Sequence, residues 1–137
     1  MATFADLIKK RENLTFKARC LKIKINELKK TYLPSKGNFE GVRVKNNSSQ
    51  QEIIVLKVEV LEEKVEAIEE ELSIVDEQIE EKLDFIANPR DRWIVFRKIN
   101  GHTWKEISAS ECYSVSYVQK VYKDAVSEIE KKEREVF

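Results

Sequence analysis

Apolar residues recur along this chain in alternating steps of three and four. The first run passes through Phe4, Leu7, Arg11, Leu14, Ala18, Leu21, Ile25, Leu28 and Tyr32, a heptad seam with one polar interruption at Arg11. The spacing predicts one long helix. It stops at Leu33-Pro34, since proline disfavours the helical region for its predecessor and offers no N–H. Turn formers crowd PSKGNFEGVRVKNNSS, so a loop is expected at about 33–50, with a short extended piece at Val42 to Val44. A second seam follows through Ile54, Val58, Leu61, Val65, Ile68, Leu72, Val75 and Ile79, lapses at Lys82, and resumes at Ile86. It predicts a second long helix, ending at Asn88-Pro89, where Asn caps and Pro takes the first position of the next helix.

The remaining third is built of shorter pieces. Trp93, Phe96 and Ile99 share a helical face, and Asn100-Gly101 supplies a stop tolerant of positive φ. Thr103 with Glu106 three residues on forms a capping box, and Ser114 is a second capping residue ahead of Val118, Val121, Tyr122, Ala125 and Ile129. Two helices are expected there, joined by a tight turn at Glu111-Cys112-Tyr113, with fraying over the charged run Glu130 to Glu135. Such a pair is either a plain hairpin of an all-α core or a helix-turn-helix that lays its second helix in a DNA major groove. The fold class expected is all-α, with residues 1–88 as a long antiparallel helical hairpin (coiled coil) and 89–137 as a small separate domain.

Composition sharpens the pairing. Charged residues make up 36% of the chain and the formal net charge is zero, but the signs are sorted. Residues 1–33 hold nine Lys and Arg against three Asp and Glu, whereas residues 50–88 hold three against thirteen. The acidic second helix opposes its own copy and attracts the tethered basic first helix. Lys22 and Lys29 follow the first seam as Glu62, Glu69 and Asp76 follow the second, which suits antiparallel pairing. The other edge, with Lys10, Lys17 and Lys24 against Lys57, Lys64 and Glu71, is less complementary. A homo-oligomer zipped along the same seam is the competing arrangement.

Function is read mostly from what the chemistry allows. Cys20 and Cys112 have no metal-ligand spacing and are expected to be reduced thiols. No run of about eighteen apolar residues occurs, so no membrane association is expected and the location expected is cytoplasmic. His102 is the lone histidine, no Gly-rich phosphate cradle exists, and the Glu residues of 59–81 lie mostly on outward faces. No catalytic site, metal site or cofactor is expected, and the protein is read as no enzyme. For double-stranded DNA, Val115, Ser116, Gln119 and Lys120 are candidate base contacts. Arg97, Lys98, His102, Thr103, Lys105, Tyr117 and Lys123 are candidate backbone contacts. Residues 89–137 carry only two more basic than acidic residues, so tight binding calls for dimerisation or a partner protein.

The segment RDRWIVFRKINGHTWKEISASECYSVSYVQKVYKDAVSEI resembles the helix-turn-helix of sigma-factor region 4 through Gly101, Thr103, Glu106, Ile107, Tyr113, Ser114, Val118, Val121 and Ala125. With the long N-terminal helix, the GVRV loop and the second heptad helix, the chain resembles phage-encoded transcriptional regulators of the ArpU and RinA type. That resemblance implies sequence-specific control of phage or prophage genes in a bacterial host, on the nucleoid and with host RNA polymerase as a further partner. It puts base contacts at Val115, Ser116, Gln119 and Lys120. A small terminase subunit and a sigma-like adaptor that binds protein without DNA are the rival readings. The chain departs from the pattern at Glu111, where the family has an apolar residue, at Cys112, where it has the turn glycine, and at Val115, which replaces a polar contact. A left-handed Cys112 costs roughly 1 kcal/mol or more.

Overall fold

The computed structural model describes residues 2–32 and 48–136. Five helices and no strand are present among them: α1 (Phe4–Tyr32), α2 (Ser48–Leu83), α3 (Pro89–Ile99), α4 (Trp104–Glu111) and α5 (Val115–Val136). The expected loop, apart from its last residues, and the extended piece at Val42 to Val44 lie outside the described residues. The chain divides into two compact units, one of residues 12–74 and one of residues 1–11 with 75–137.

Among the described residues of the first of these units, every buried one lies on a seam. Ile25, Ile54, Val58 and Val65 form one apolar cluster, with Leu21, Leu28 and Leu61 packed against it. The flanking charges pair as Lys22 with Glu69 at 3.0 Å and Lys29 with Glu62 at 3.4 Å, so residue numbers rise along α1 as they fall along α2. Both pairs are half exposed and worth about 0 to 1 kcal/mol each, against roughly 1.5 to 3 kcal/mol for each buried aliphatic side chain. Burial therefore dominates stability here, and the ion pairs select register. With Cys20 and Cys112 replaced by serine, cysteines introduced at Leu21 and Val65 are expected to crosslink within one chain through a short thiol reagent. Denaturing gels decide it, and a product found only between chains overturns the pairing.

In the other unit, each helix start has a local cause. Thr3 and Asp6 exchange backbone-to-side-chain bonds of 3.2 Å ahead of α1, and the Thr3 backbone N–H holds the Asp6 carboxyl below its ordinary range. The helix α2 ends at Leu83, earlier than the seam predicts, because Phe85 and Ile86 turn back onto Lys82 and Leu83 through i→i+3 bonds. Ile86 is still buried. Asn88 accepts from the Arg90 N–H at 2.9 Å and Pro89 opens α3, as expected. Trp93 and Phe96 do share a face, with stacked rings 5.6 Å apart, but the buried residues of α3 are Ile94 and Val95.

The two polar interruptions of the seams both have partners. Arg11 donates to Asp76 at 2.7 Å, to the Ile99 carbonyl at 3.1 Å and to the Asn100 side chain at 3.2 Å, so it serves carbonyl groups left open at the end of α3. Lys82 pairs with Glu133, whose carboxylate also accepts the Phe4 N–H at 2.9 Å. Lys132 donates to the Phe85 carbonyl at 2.7 Å. These bonds correct the expectation of fraying over Glu130 to Glu135. The helix α5 stays regular to Val136 because Glu133 is buried and bonded.

Candidate nucleic-acid interface

Thr103 and Glu106 complete the capping box at the start of α4: the Thr103 N–H donates to Glu106 at 2.8 Å and the Glu106 N–H to the Thr103 hydroxyl at 3.1 Å. That bond from the Thr103 N–H, and then the Thr103 side chain, hold the Glu106 carboxyl below its ordinary range. Residues 112–114 then turn the chain. Cys112 sits in the left-handed region at φ 61°, ψ 38°, and its N–H, like that of Tyr113, returns to the Ser108 carbonyl. Ser114 accepts from the Tyr117 N–H at 3.1 Å and starts α5. Ile94, Ile107, Val118 and Val121 lock α3, α4 and α5 together, with Trp104 and Tyr113 against them.

The left-handed Cys112 carries a strain that glycine lacks. The substitution Cys112→Gly is expected to stabilise the protein by about 0.5 to 1 kcal/mol, read as a raised midpoint in urea with unchanged slope. A lower midpoint would mean that the thiol contributes packing the geometry does not suggest.

Glu111, the other departure from the sigma pattern, is a bonded residue. Its carboxylate accepts from the Trp93 indole N–H at 3.1 Å and from the Ser110 hydroxyl at 3.3 Å, and lies 3.6 Å from the Arg97 guanidinium. A half-buried charge is thus paired and hydrogen-bonded, the condition under which such a group is tolerated. Trp93 and Glu111 form a matched couple. Neither residue suggests the other in the sequence, since they lie 18 positions apart.

The candidate contacts divide by what they already touch. Ser116, Gln119, Lys120 and Lys123 are exposed on α5, and Val115 is half buried beside them. Lys105 is exposed on α4, and Thr103, also exposed, is engaged in its cap. Arg97 is occupied inside the chain, bonded to Ser110 and ion-paired with Glu111. Lys98 lies 4.4 Å from the centre of the Trp104 ring, and His102 Nδ1 lies 3.1 Å from the Arg97 carbonyl. Tyr117 is exposed and its ring tilts against Tyr113 at 4.9 Å.

One residue beside this surface was not singled out by the sequence. Arg90, at the start of α3, lies over both Tyr113 and Tyr117, 5.3 and 5.7 Å from their ring centres, and donates to the Tyr113 hydroxyl at 3.1 Å. That hydroxyl, and then Asp91, favour its charged form and raise its pKa further. The i, i+4 tyrosine pair 113/117 was the available signal, but nothing local links it to a residue 23 positions upstream. The guanidinium is partly exposed, so a planar cation is held beside the first turn of α5.

The arrangement offers donors and a cationic row for an anionic polymer. Among the described residues, no group of three or more His, Cys, Asp or Glu side chains is placed to hold a metal, and no helix is long and apolar enough to cross a membrane. Compared with known proteins, the chain matches no family model, no curated protein and no solved structure.

Proposed function

We propose that this protein is a non-enzymatic, sequence-specific DNA-binding regulator of transcription. Residues 104–136 act as a helix-turn-helix with α5 in the major groove, and α1 with α2 forms an antiparallel hairpin that presents it. The observation that carries the reading is the exposed row Ser116, Gln119, Lys120 and Lys123 on the helix that follows a left-handed turn at Cys112. Gln119 suits the donor–acceptor edge of adenine, Lys120 suits guanine, and Lys123 suits a phosphate. Arg90, held by two tyrosines, adds a fixed phosphate contact. The resemblance to ArpU- and RinA-type regulators supports phage or prophage genes as the target, in a bacterial cell and with RNA polymerase as partner.

The direct test is selection of bound duplexes from a random pool with the full chain, followed by footprinting. An enriched motif protected over one or two major-groove faces is expected. Absence of any enriched sequence overturns specific regulation. Native mass separates a terminase-like protein, which assembles into rings of many copies, from the monomer or small oligomer expected of a regulator.

A further inference from the structure

Within residues 12–74, α2 has two apolar faces. Ile54, Val58, Leu61 and Val65 form the seam packed with α1. Ile53, Leu56 and Val60 lie roughly 150° round the helix from that seam and are 54%, 59% and 50% exposed. In a heptad frame with the packed seam at b and f, Ile53 and Val60 fall at a and Leu56 at d. β-Branched residues at a with leucine at d are the choice that favours two parallel strands. The same frame puts Glu52 and Glu59 at g and Lys57 and Lys64 at e, and all four are exposed. Among the described residues, none of these four is ion-paired.

Three aliphatic side chains in a row facing water are costly to leave bare. The margins of the stripe differ in sign, basic on the side toward α1 and acidic on the outer side, and this selects the occupant. A second copy laid parallel about a twofold axis sets each g residue beside the e residue five positions on in the other copy. Glu52 then meets Lys57 and Glu59 meets Lys64, twice over. An antiparallel copy would set glutamate on glutamate and lysine on lysine. Beyond Val60 the face turns polar, with Glu63 and Glu70 at d, and residues 66–81 hold eight acidic side chains and no Lys or Arg. The contact therefore closes over the first turns of α2, and the repulsion between copies of this acidic helix lies past it. Three half-exposed anchors from each copy cover less than the roughly 1,200 Å² of a stable interface, so the pairing is weak.

We propose that α2 is a dimerisation helix: two copies of the chain meet in parallel along Ile53, Leu56 and Val60, with Glu52 and Glu59 of each paired to Lys57 and Lys64 of the other. This assignment stands apart from DNA recognition. The apolar contacts supply the affinity, and the charge rows fix orientation and register.

The test is sedimentation equilibrium of the full chain without DNA, from about 5 to 500 μM, where a monomer–dimer equilibrium with a Kd of roughly 10 to 300 μM is expected. Leu56→Asp is expected to weaken it at least about tenfold. Lys57→Glu with Lys64→Glu, and Glu52→Lys with Glu59→Lys, should each weaken it by about tenfold, and an equimolar mixture of these two double variants should regain the dimer, since every g–e contact is then attractive. All five positions are exposed, so circular dichroism should be unchanged. Orientation is read separately. With Cys20 and Cys112 replaced by serine, Glu63→Cys at d is expected to form a disulfide between chains under mild oxidation, whereas antiparallel copies centred on Leu56 hold these thiols about 20 Å apart. Should a charge variant fail to fold, the unmodified chain and the crosslink still decide. The proposal is overturned by a chain that stays monomeric to the highest concentration, by a dimer that Leu56→Asp leaves intact, by a mixture that sediments no differently from its components, or by absence of the crosslink.

Discussion

Glu133→Ala is expected to be among the most destabilising single substitutions in the protein, at about 3 to 5 kcal/mol. The Glu133 side chain is 6% exposed and holds two donors, the Lys82 ammonium, itself 16% exposed, and the Phe4 N–H. Removing the carboxylate leaves a cation and a backbone N–H without their acceptor in a poorly hydrated place, and the cost of such orphans exceeds the net worth of the bonds lost. Both tryptophans, Trp93 and Trp104, lie in the unit of residues 1–11 and 75–137, so their fluorescence reports its unfolding. A fall in midpoint of roughly 10 to 20 °C is expected. Glu133→Gln should cost less, since the amide oxygen still accepts from Phe4. With Lys82→Met added to Glu133→Gln, the double variant should be more stable than the sum of the two singles predicts, by more than about 1 kcal/mol. A loss below about 1 kcal/mol for Glu133→Ala would mean that water reaches the pair.

For DNA, the largest effect is expected from Lys120→Ala with Lys123→Ala. Lys123, which meets a phosphate, accounts for about 0.9 of the slope of log affinity against log salt, so the double variant should lose about 1 from that slope and, with the guanine contact of Lys120 gone as well, about 10- to 100-fold in affinity at low salt. Both residues are exposed on α5, so the fold should survive. Gln119→Ala should act differently, with a smaller loss on arbitrary duplex and a relaxed preference at one base pair worth about 1 to 3 kcal/mol. Duplex binding that shows no salt dependence, and no change in the lysine variant, would favour a protein-binding adaptor instead.

The residues readable from sequence are those whose cause is local. Thr103 with Glu106, Ser114, and Asn88 with Pro89 cap their helices within three residues, and Gly101 stops α3 at φ 93°, each as the local residue pattern predicts. The seams of α1 and α2 were legible because helical periodicity repeats the same burial every turn. Misreadings arose where a distant partner decides. The charged end of α5 reads as fraying, yet Glu133 is bonded to a residue 129 positions away. Arg11 reads as a polar interruption of the seam, as it is, but its partners 65 to 89 positions on are not legible there.

The sequence by itself therefore determines the helical class, the places where most helices begin, and the faces that α1 and α2 bury. These depend on backbone geometry and period, which neighbouring residues set. Only the tertiary structure decides that Glu111 is hydrogen-bonded by Trp93 and ion-paired with Arg97, that Arg90 is fixed by Tyr113 and Tyr117, and that Lys82 and Glu133 close on Phe4. Those pairings depend on which surfaces meet, and no periodicity along one chain records the side chain that a second element brings.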